Sequence, residues 1–584
     1  MATMKQMIPL LSIVLLLSPL ANAQHDQPGG LHHGDPNSFA NLMGKSMEVM
    51  DRGMMAAPMT GNPDHDFASM MMPHHQGAID MAKAELLHGN DPVMRRLAQE
   101  ILATQSQEIA LMKRRLAQIA EPTKSVNRST VEKVGPSMAG GDRVYTADQI
   151  SNTISVIDPS LNKLLGVIRL GEPVPASLSP LYKGELLVHG LGFSPDGRTL
   201  AAVSIGSNSV TVIDTATNQI RGRIYVGRSP HEAFFTPDGK ELWVAIRGED
   251  YVSVIDPMRM VETRRITTAN GPAMILFGPD AKYAFVPSSF VPELCVVDVQ
   301  KHEVIAKIKQ FSPFSPNLAV SRDGKEVWFT LKDSGKTQVI SATAPFETLA
   351  TLDTGPISNH VTMVDNPKGH FAYVSVGGLN VIKVYRRGTV PTLISTIPTG
   401  DLPHGIWSSP DGTRVYVGLE NGGVVQAIDT TTDKVIATIP VGQLPQALVY
   451  VSNAVPSGEG IANLVPLGLS GMATHLNLVA FGMSKASGNV VVNSLGLIDS
   501  LQIAVSGLKP GDEYELQLVD SLSSPFGSRL SLVRFKANPA GAALAQALGP
   551  IRESVTSDTT PTSRRYLLVV ETRTGSIILV QHTS

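Results

Sequence analysis

The sequence is poor in cysteine, in net charge and in long apolar runs, and each shortage argues against a class of protein. Its 584 residues contain one cysteine, Cys295, which allows neither an internal disulfide nor a thiolate metal cluster. Cys295 lies in the alternating segment ELCVVDV, which predicts a buried strand residue. A net charge of −3 argues against a nucleic-acid partner, because such a partner requires a basic face.

An apolar run of appreciable length occurs only near the N-terminus. Residues 8–20 follow the positive Lys5 and are too few to cross a bilayer as a helix. Ala21-Asn22-Ala23 fits the small-x-small rule for cleavage, so residues 1–23 are predicted to be a signal peptide. We therefore expect an exported protein, periplasmic or secreted, with no membrane span after cleavage.

Methionine and histidine are concentrated in the part that follows this signal. Residues 24–37 are predicted to be a disordered leader rich in His, Gly and Pro. Residues 38–123 carry apolar side chains at helical spacing and predict an α-helical bundle. Gly89 and Pro92 mark a tight turn between its second and third helices, which makes these two helices antiparallel.

The segment MMMPHHQGAIDMA, residues 70–82, carries the strongest chemical signal. Thioether sulfur and imidazole nitrogen are ligands that suit copper. A heptad seam through Phe67, Met71 and His74 is predicted to face helix three, and facing helices of a bundle often hold metals. The alternative is that methionines at helical spacing only fill a core. The candidate copper ligands are Met71, His74, His75, Met81, Glu108 and Met112.

The stretch from Asp66 to Leu116 resembles the ferritin-like, CopM-type family of small exported copper-binding proteins. The M-x-x-H-H-x-x-A-x-x-M-A segment of that family is matched from Met71 to Ala82. Its Q-x-x-E-I-x-x-M segment is matched from Gln105 to Met112. The resemblance implies a helical bundle that binds copper, as Cu(I) or Cu(II), and has a role in copper tolerance.

Residues 141–455, after a linker at 124–140, form a repeat array. Pro-Asp-Gly-like turns recur about every 42–45 residues, which is the period of a four-stranded propeller blade. The segment PQALVYVSNAV closes the array and supplies the strand that the first unit lacks, which predicts seven blades in a closed ring. These units resemble the YVTN-type β-propeller repeats. The turns begin at Pro195, Pro237, Pro279, Arg322, Pro367 and Pro410.

Four of the repeats carry a histidine at nearly the same offset before the turn. Equivalent positions in a closed ring point at a common axis, so these histidines are predicted to converge at one mouth of the central channel. They are either loop-capping residues inherited with the repeat or a second metal site, similar to the His-rich propeller centre of nitrous-oxide-reductase-type copper enzymes. The chain lacks the electron-transfer copper domain of those enzymes. The four are His189, His231, His360 and His404.

Residues 456–584 contain short alternating runs separated by Gly, Pro and Ser, which predict a small β-sandwich. The chain is therefore expected to be multidomain, with a helical bundle, a central seven-bladed propeller and this third domain. Three functions remain open. The first is an exported copper-binding protein whose propeller is a scaffold or a docking module for another exported protein. The second is a metal-dependent enzyme at the channel mouth, and the third is a surface interaction scaffold.

Overall fold

The computed structural model describes part of the chain, and that part falls into two compact units divided between Asn127 and Arg128. The predicted signal peptide, the leader at 24–37 and most of the linker lie outside the described residues. No described helix is long and apolar enough to cross a membrane. The described residues are 38–91, single positions between 94 and 116, 140–171, 184–495, 498–556 and 564–582.

The N-terminal unit begins with two helices, α1 (Phe39–Met55) and α2 (Pro63–His88). Helix α1 starts at Ser38, whose hydroxyl accepts a hydrogen bond from the Asn41 amide, as an N-cap residue does. In the first turn of α2, the Asp66 carboxylate accepts hydrogen bonds from the backbone amides of Thr60 and Gly61, which precede the helix, at 2.7 and 2.8 Å. These bonds lower the pKa of Asp66 to about 2. The positions described between 94 and 116 are helical, as predicted for helix three.

Helices α1 and α2 approach closely at two glycines. A Cβ on Gly53 would lie 2.6 Å from Cβ of Pro73, and one on Gly77 would lie equally close to Cβ of Met50. The prediction that Phe67 lies on the buried seam is wrong, because its side chain is 65% exposed. The small residues Gly53 and Gly77 permit the close approach of the two helices. The buried face of α2 therefore lies one position along the sequence from the predicted seam and runs through Ala68, Ile79 and Ala82.

The central domain is a ring of seven four-stranded antiparallel sheets, which confirms the predicted propeller. The first three blades contain β1 (Arg143–Asp148), β2 (Thr153–Asp158) and β3 (Lys163–Arg169); β4 (Val188–Phe193), β5 (Thr199–Ser204), β6 (Ser209–Asp214) and β7 (Ile220–Tyr225); β8 (Pro230–Phe235), β9 (Leu242–Ile246), β10 (Tyr251–Asp256) and β11 (Val261–Thr267). Blade four contains β12 (Leu276–Phe277), β13 (Tyr283–Pro287), β14 (Glu293–Asp298) and β15 (Glu303–Lys309).

Blades five to seven complete the ring. They contain β16 (Leu318–Val320), β17 (Glu326–Leu331), β18 (Lys336–Ser341) and β19 (Thr348–Asp353); β20 (Ser358–Asn366), β21 (Gly369–Val376), β22 (Val381–Arg386) and β23 (Thr392–Pro398); β24 (Pro403–Ser408), β25 (Arg414–Leu419), β26 (Val424–Asp429) and β27 (Lys434–Pro440).

The ring closes as the sequence predicts. Strand β28 (Pro445–Val451) pairs antiparallel with β1, with Arg143 opposite Val451, and becomes the inner strand of blade one. Side chains between neighbouring blades form the core, and Trp243 and Trp328 are fully buried there. Cys295 is also fully buried, as predicted.

The C-terminal domain differs from the prediction. Its strands form one antiparallel sheet of eight, in the order β33-β32-β35-β36-β29-β30-β31-β34. The sheet curls until its two edge strands lie side by side around a single apolar core. Because the sheet is continuous and nearly closed, the predicted sandwich of two separate sheets is not observed. The elements are β29 (Ala473–Ala480), β30 (Ser487–Ser494), β31 (Asp499–Ser506), β32 (Glu513–Val519), β33 (Arg529–Lys536), β34 (Ala542–Gly549), a short helix α3 (Arg552–Thr556), β35 (Tyr566–Glu571) and β36 (Ile577–Gln581).

A strap, residues 456–472, connects this domain to the propeller. The Arg143 guanidinium donates to the carbonyl of Glu459 at 2.6 Å. Val167 and Val465 exchange backbone hydrogen bonds of 2.9 and 3.0 Å. The strap therefore lies against blade one, which is the blade at which the ring closes.

The C-terminal sheet lies on the face of the propeller at which the inner strands begin. Ile357 and Leu402 pack there against Ala504 and Ala542. Gln502 donates to the Glu420 carboxylate at 2.7 Å and is itself buried. The C-terminal domain thus covers this face beside blades six and seven.

Candidate functional site

The predicted site residues fall into two groups, and the first group lies largely on α2. His74 is exposed and His75 is half-buried, and their ring centroids are 5.8 Å apart. Nδ1 of His75 donates to the backbone carbonyl of Met71 at 2.8 Å. Since a carbonyl only accepts, the ring proton of neutral His75 is on Nδ1 and its lone pair is on Nε2.

Methionine side chains are present on both α1 and α2. Met71, Met72 and Met81 of α2 are half-buried. Met50 of α1 lies against Gly77, with its sulfur 2.9 Å from the position that a Cβ would take there. The sequence analysis does not include Met50 among the candidate ligands.

The remaining predicted ligands come from helix three. Met112 is half-buried and helical, and Glu108 lies outside the described residues. Within the described ranges, no three His, Cys, Asp or Glu side chains are gathered in a way that would hold a metal. Among the predicted ligands that the structure describes, the donor groups are thus imidazole and thioether.

The second group lies at the centre of the propeller. Strands β4, β8, β20 and β24 each place a histidine at or near their start, on the face covered by the C-terminal domain. The structure brings these four side chains, the histidine cluster, together: ring centroids are 4.5 Å apart for His189 and His231 and 4.6 Å apart for His360 and His404. His189 and His404 are separated by 6.5 Å. All four are buried.

One half of the histidine cluster is a hydrogen-bonded chain. His231 Nδ1 donates to the carbonyl of Ala273 at 2.7 Å, so its Nε2 accepts when the ring is neutral. His189 Nε2 then donates to that atom at 3.0 Å, and His189 Nδ1 accepts from Gln149 at 3.3 Å. His189 and His231 thus use their Nε2 atoms on each other.

The other half of the histidine cluster, His360 and His404, makes fewer hydrogen bonds. His404 Nδ1 donates to the carbonyl of Gln446 at 3.3 Å, which leaves its lone pair on Nε2. In the described part of the chain, the His360 ring makes no hydrogen bond. His360 and His404 are therefore the members of the cluster that can meet a ligand.

Burial keeps the histidine cluster neutral. Loss of solvation lowers the pKa of His189, His231 and His404 well below the usual range and lowers that of His360 to about 3. Two nearby cations act in the same direction. Arg247 lowers the pKa of His189 and His231, and Lys332 lowers that of His360 and His404.

Sequence reasoning missed these two cations. Arg247 follows β9 and Lys332 follows β17, so each stands directly after the second strand of its blade. Glu420 occupies the same place after β25. One signal in the sequence could have revealed them. It is a charged residue directly after the buried second strand of a blade that contributes to the ring. Together with the histidine cluster, Arg247, Lys332 and Glu420 define the channel mouth.

The channel mouth also has an aromatic wall. The Arg247 guanidinium carbon lies 5.1 Å from the ring centroid of Phe314 and 6.0 Å from that of Phe290. The Lys332 ammonium lies 5.8 Å from the same Phe314 ring. Deeper in the ring, burial raises the pKa of Glu232 well above its usual range, so this carboxyl favours its neutral form.

Two known protein families match this chain, one at the N-terminal helices and one at the propeller. Residues 17–141 match the family described as "Domain of unknown function (DUF305)". Residues 225–438 match "Lactonase, 7-bladed beta-propeller". The chain thus carries a DUF305 domain ahead of a seven-bladed propeller. The DUF305 description names no ligand, so copper binding by this domain stays a prediction. No curated protein matches the chain.

Several solved structures are similar to about half of this chain. Hydrazine synthase of Kuenenia stuttgartiensis is 21% identical, with 51% of this chain and 95% of that chain covered and a TM-score of 0.42. A functionally unknown protein of Desulfotomaculum acetoxidans is 11% identical, with coverage of 53% and 99% and a TM-score of 0.46. Periplasmic gluconolactonase of Pseudomonas aeruginosa is 16% identical, with coverage of 53% and 99% and a TM-score of 0.43.

Proposed function

We propose that this chain is an exported copper-binding protein, periplasmic or secreted, that buffers or sequesters copper through its DUF305 domain. The propeller serves as a scaffold or as a docking module for another exported protein. The observation that carries the proposal is the hydrogen bond from His75 Nδ1 to the Met71 carbonyl. Metal-binding histidines commonly donate their second ring nitrogen to a backbone carbonyl, which fixes the tautomer and the ring orientation.

The donors around His75 favour copper among the metals. Half-buried thioethers lie on α2 at Met71 and Met72, and Met50 of α1 packs against the same helix. Thioether sulfur is a soft ligand that selects Cu(I), and imidazole suits copper in both oxidation states. His75 and Met71 are proposed as the centre of the set, with His74, Met81, Met112 and Glu108 as further candidates.

Single substitutions in the full chain test this proposal. His75→Ala is expected to lower the affinity for Cu(I) at least about ten-fold, as loss of a metal ligand or its support does. His74→Ala is expected to cost less, because His74 is exposed. His88→Ala, at the exposed end of α2, is the matched control. Affinity is measured by competition with a chromogenic Cu(I) chelator.

The combined change His74→Ala with His75→Ala is expected to abolish tight binding by the helices. An unchanged Cu(I) affinity in that double variant, with normal helix content, contradicts the proposed site. Copper retained by the double variant and lost on His360→Ala or His404→Ala would instead support the second candidate.

That second candidate is a metal-dependent enzyme at the channel mouth. The histidine cluster favours it, because four neutral imidazoles meet there. His189 and His231 bond to each other, however, which leaves His360 and His404 as possible ligands. Metal held by the propeller after copper has been removed from the helices would support this candidate.

A further inference from the structure

The channel mouth contains two cations that lack anionic partners. Within the described residues, no hydrogen bond or ion pair reaches the side chain of Arg247 or Lys332. Burial lowers the pKa of Arg247 to about 10 and also lowers the pKa of Lys332. Both side chains are half-buried, and a partly desolvated cation without an ion-pair partner is costly, so two of them at one place call for a physical explanation.

The nearest carboxylates are directed elsewhere. Glu420 accepts from Gln502 of the C-terminal domain at 2.7 Å. Asp333, next to Lys332 in the chain, is hydrogen-bonded to Asn538 of the same domain. Neither forms an ion pair with Lys332, although Glu420 and Asp333 both attract it through space. The positive charges of Arg247 and Lys332 therefore remain available to a ligand.

The groups around these cations are neutral or aromatic. The histidine cluster is uncharged, so it offers hydrogen bonds without adding to the charge. Arg247 and Lys332 share the Phe314 ring, and each cation is within 6 Å of its centroid. Phe290, beside Arg247, is 54% exposed. The channel mouth thus has a positively charged part, formed by Arg247 and Lys332, beside an apolar part. The apolar part is exposed to solvent at Phe290, in blade four.

We propose that the channel mouth binds a small organic carboxylate, with Arg247 and Lys332 holding the carboxylate and Phe314 and Phe290 contacting its apolar part. A guanidinium matches the two oxygens of a carboxylate with parallel N–H groups. The attraction of Glu420 reduces the positive field, which favours a singly charged ligand over inorganic phosphate. This binding site is independent of the copper site in the helices.

The test uses the metal-free full chain and isothermal titration calorimetry with benzoate as the probe. Benzoate carries one carboxylate and one apolar ring, and its neutral analogue benzamide is the comparison ligand. Benzoate is expected to bind with a Kd of about 1 mM or tighter, and benzamide is expected not to bind. Arg247→Gln and Lys332→Gln are each expected to weaken benzoate at least about ten-fold, as removal of a charge-assisted hydrogen bond does.

Arg259→Gln is the matched control, because Arg259 is an exposed residue of the same blade in the turn between β10 and β11. It removes the same charge and is expected to leave benzoate binding unchanged. A thermal melt separates ligand binding from a structural role. Removal of a half-buried cation that has no ion-pair partner is expected not to lower Tm, whereas removal of a cation with a structural role would lower it.

Three results would overturn the proposal. They are the absence of benzoate binding, equal binding of benzamide, or binding that neither Arg247→Gln nor Lys332→Gln weakens. Titration with inorganic phosphate distinguishes the ligand class. Arg247-dependent phosphate binding without benzoate binding would show that the mouth holds an inorganic anion and not a carboxylate.

Discussion

Truncation of Leu448 tests whether β28 closes the ring. Leu448 is 3% exposed and packs with Val144, Tyr416 and Tyr450 between blades one and seven. Leu448→Ala removes three buried carbon atoms, worth about 0.8 kcal/mol each, and the cavity left behind raises the cost to about 3–5 kcal/mol. That is a large share of a free energy of unfolding of about 5–15 kcal/mol.

The assay is urea unfolding followed by tryptophan fluorescence. The three tryptophans, Trp243, Trp328 and Trp407, all lie in the propeller, so their signal reports this domain alone. Leu393→Ala is the control, because Leu393 is 50% exposed on the outer strand β23, and its cost is expected to stay below about 1 kcal/mol. If Leu448→Ala costs no more than this control, β28 does not hold the ring together.

Two further predictions concern pH and the domain contact. The folded-state pKa of His360, about 3, lies below the unfolded value, so its contribution to stability is present above about pH 6.5 and is lost as the pH falls towards 3. His360→Gln is expected to flatten the loss of unfolding free energy on acidification by up to about 1.4 kcal/mol per pH unit; equal slopes would refute this. Gln502→Ala leaves one oxygen of the buried Glu420 without its partner and is expected to cost about 1–3 kcal/mol and to speed cleavage of the strap by protease. A cleavage rate equal to that of Gln426→Ala, a half-buried glutamine of β26 away from the domain contact, would argue against this role.

Much of the fold follows from local sequence signals. The turn Pro195-Asp196-Gly197 places its third residue at a positive φ that favours glycine, and Gly197 has φ +72°. A repeated turn therefore marks each blade, and a missing first strand predicts closure by the tail. Gly89 likewise marks the end of α2, which the structure places at His88.

Other features depend on the assembled structure. Alternating strands from Ala473 to Gln581 show which side chains are buried but not which strands pair, so one curled sheet was predicted as two. Phe67 appeared to be a seam residue, yet the close approach at Gly53 and Gly77 selects a neighbouring face. Arg247 and Lys332 are 85 residues apart in the sequence, and only the closed ring brings both to Phe314.

Ring closure also sets an order of events during synthesis. The Tyr450 hydroxyl donates to the Asp142 carboxylate at 2.6 Å, and these residues are 308 positions apart in the chain. Blade one therefore stays incomplete, with an open sheet edge, until almost the whole propeller has been made. The strap then emerges and covers the same blade through Glu459 and Val465. The propeller is thus expected to mature late and as a whole, and a nascent chain halted before residue 445 is exposed to aggregation.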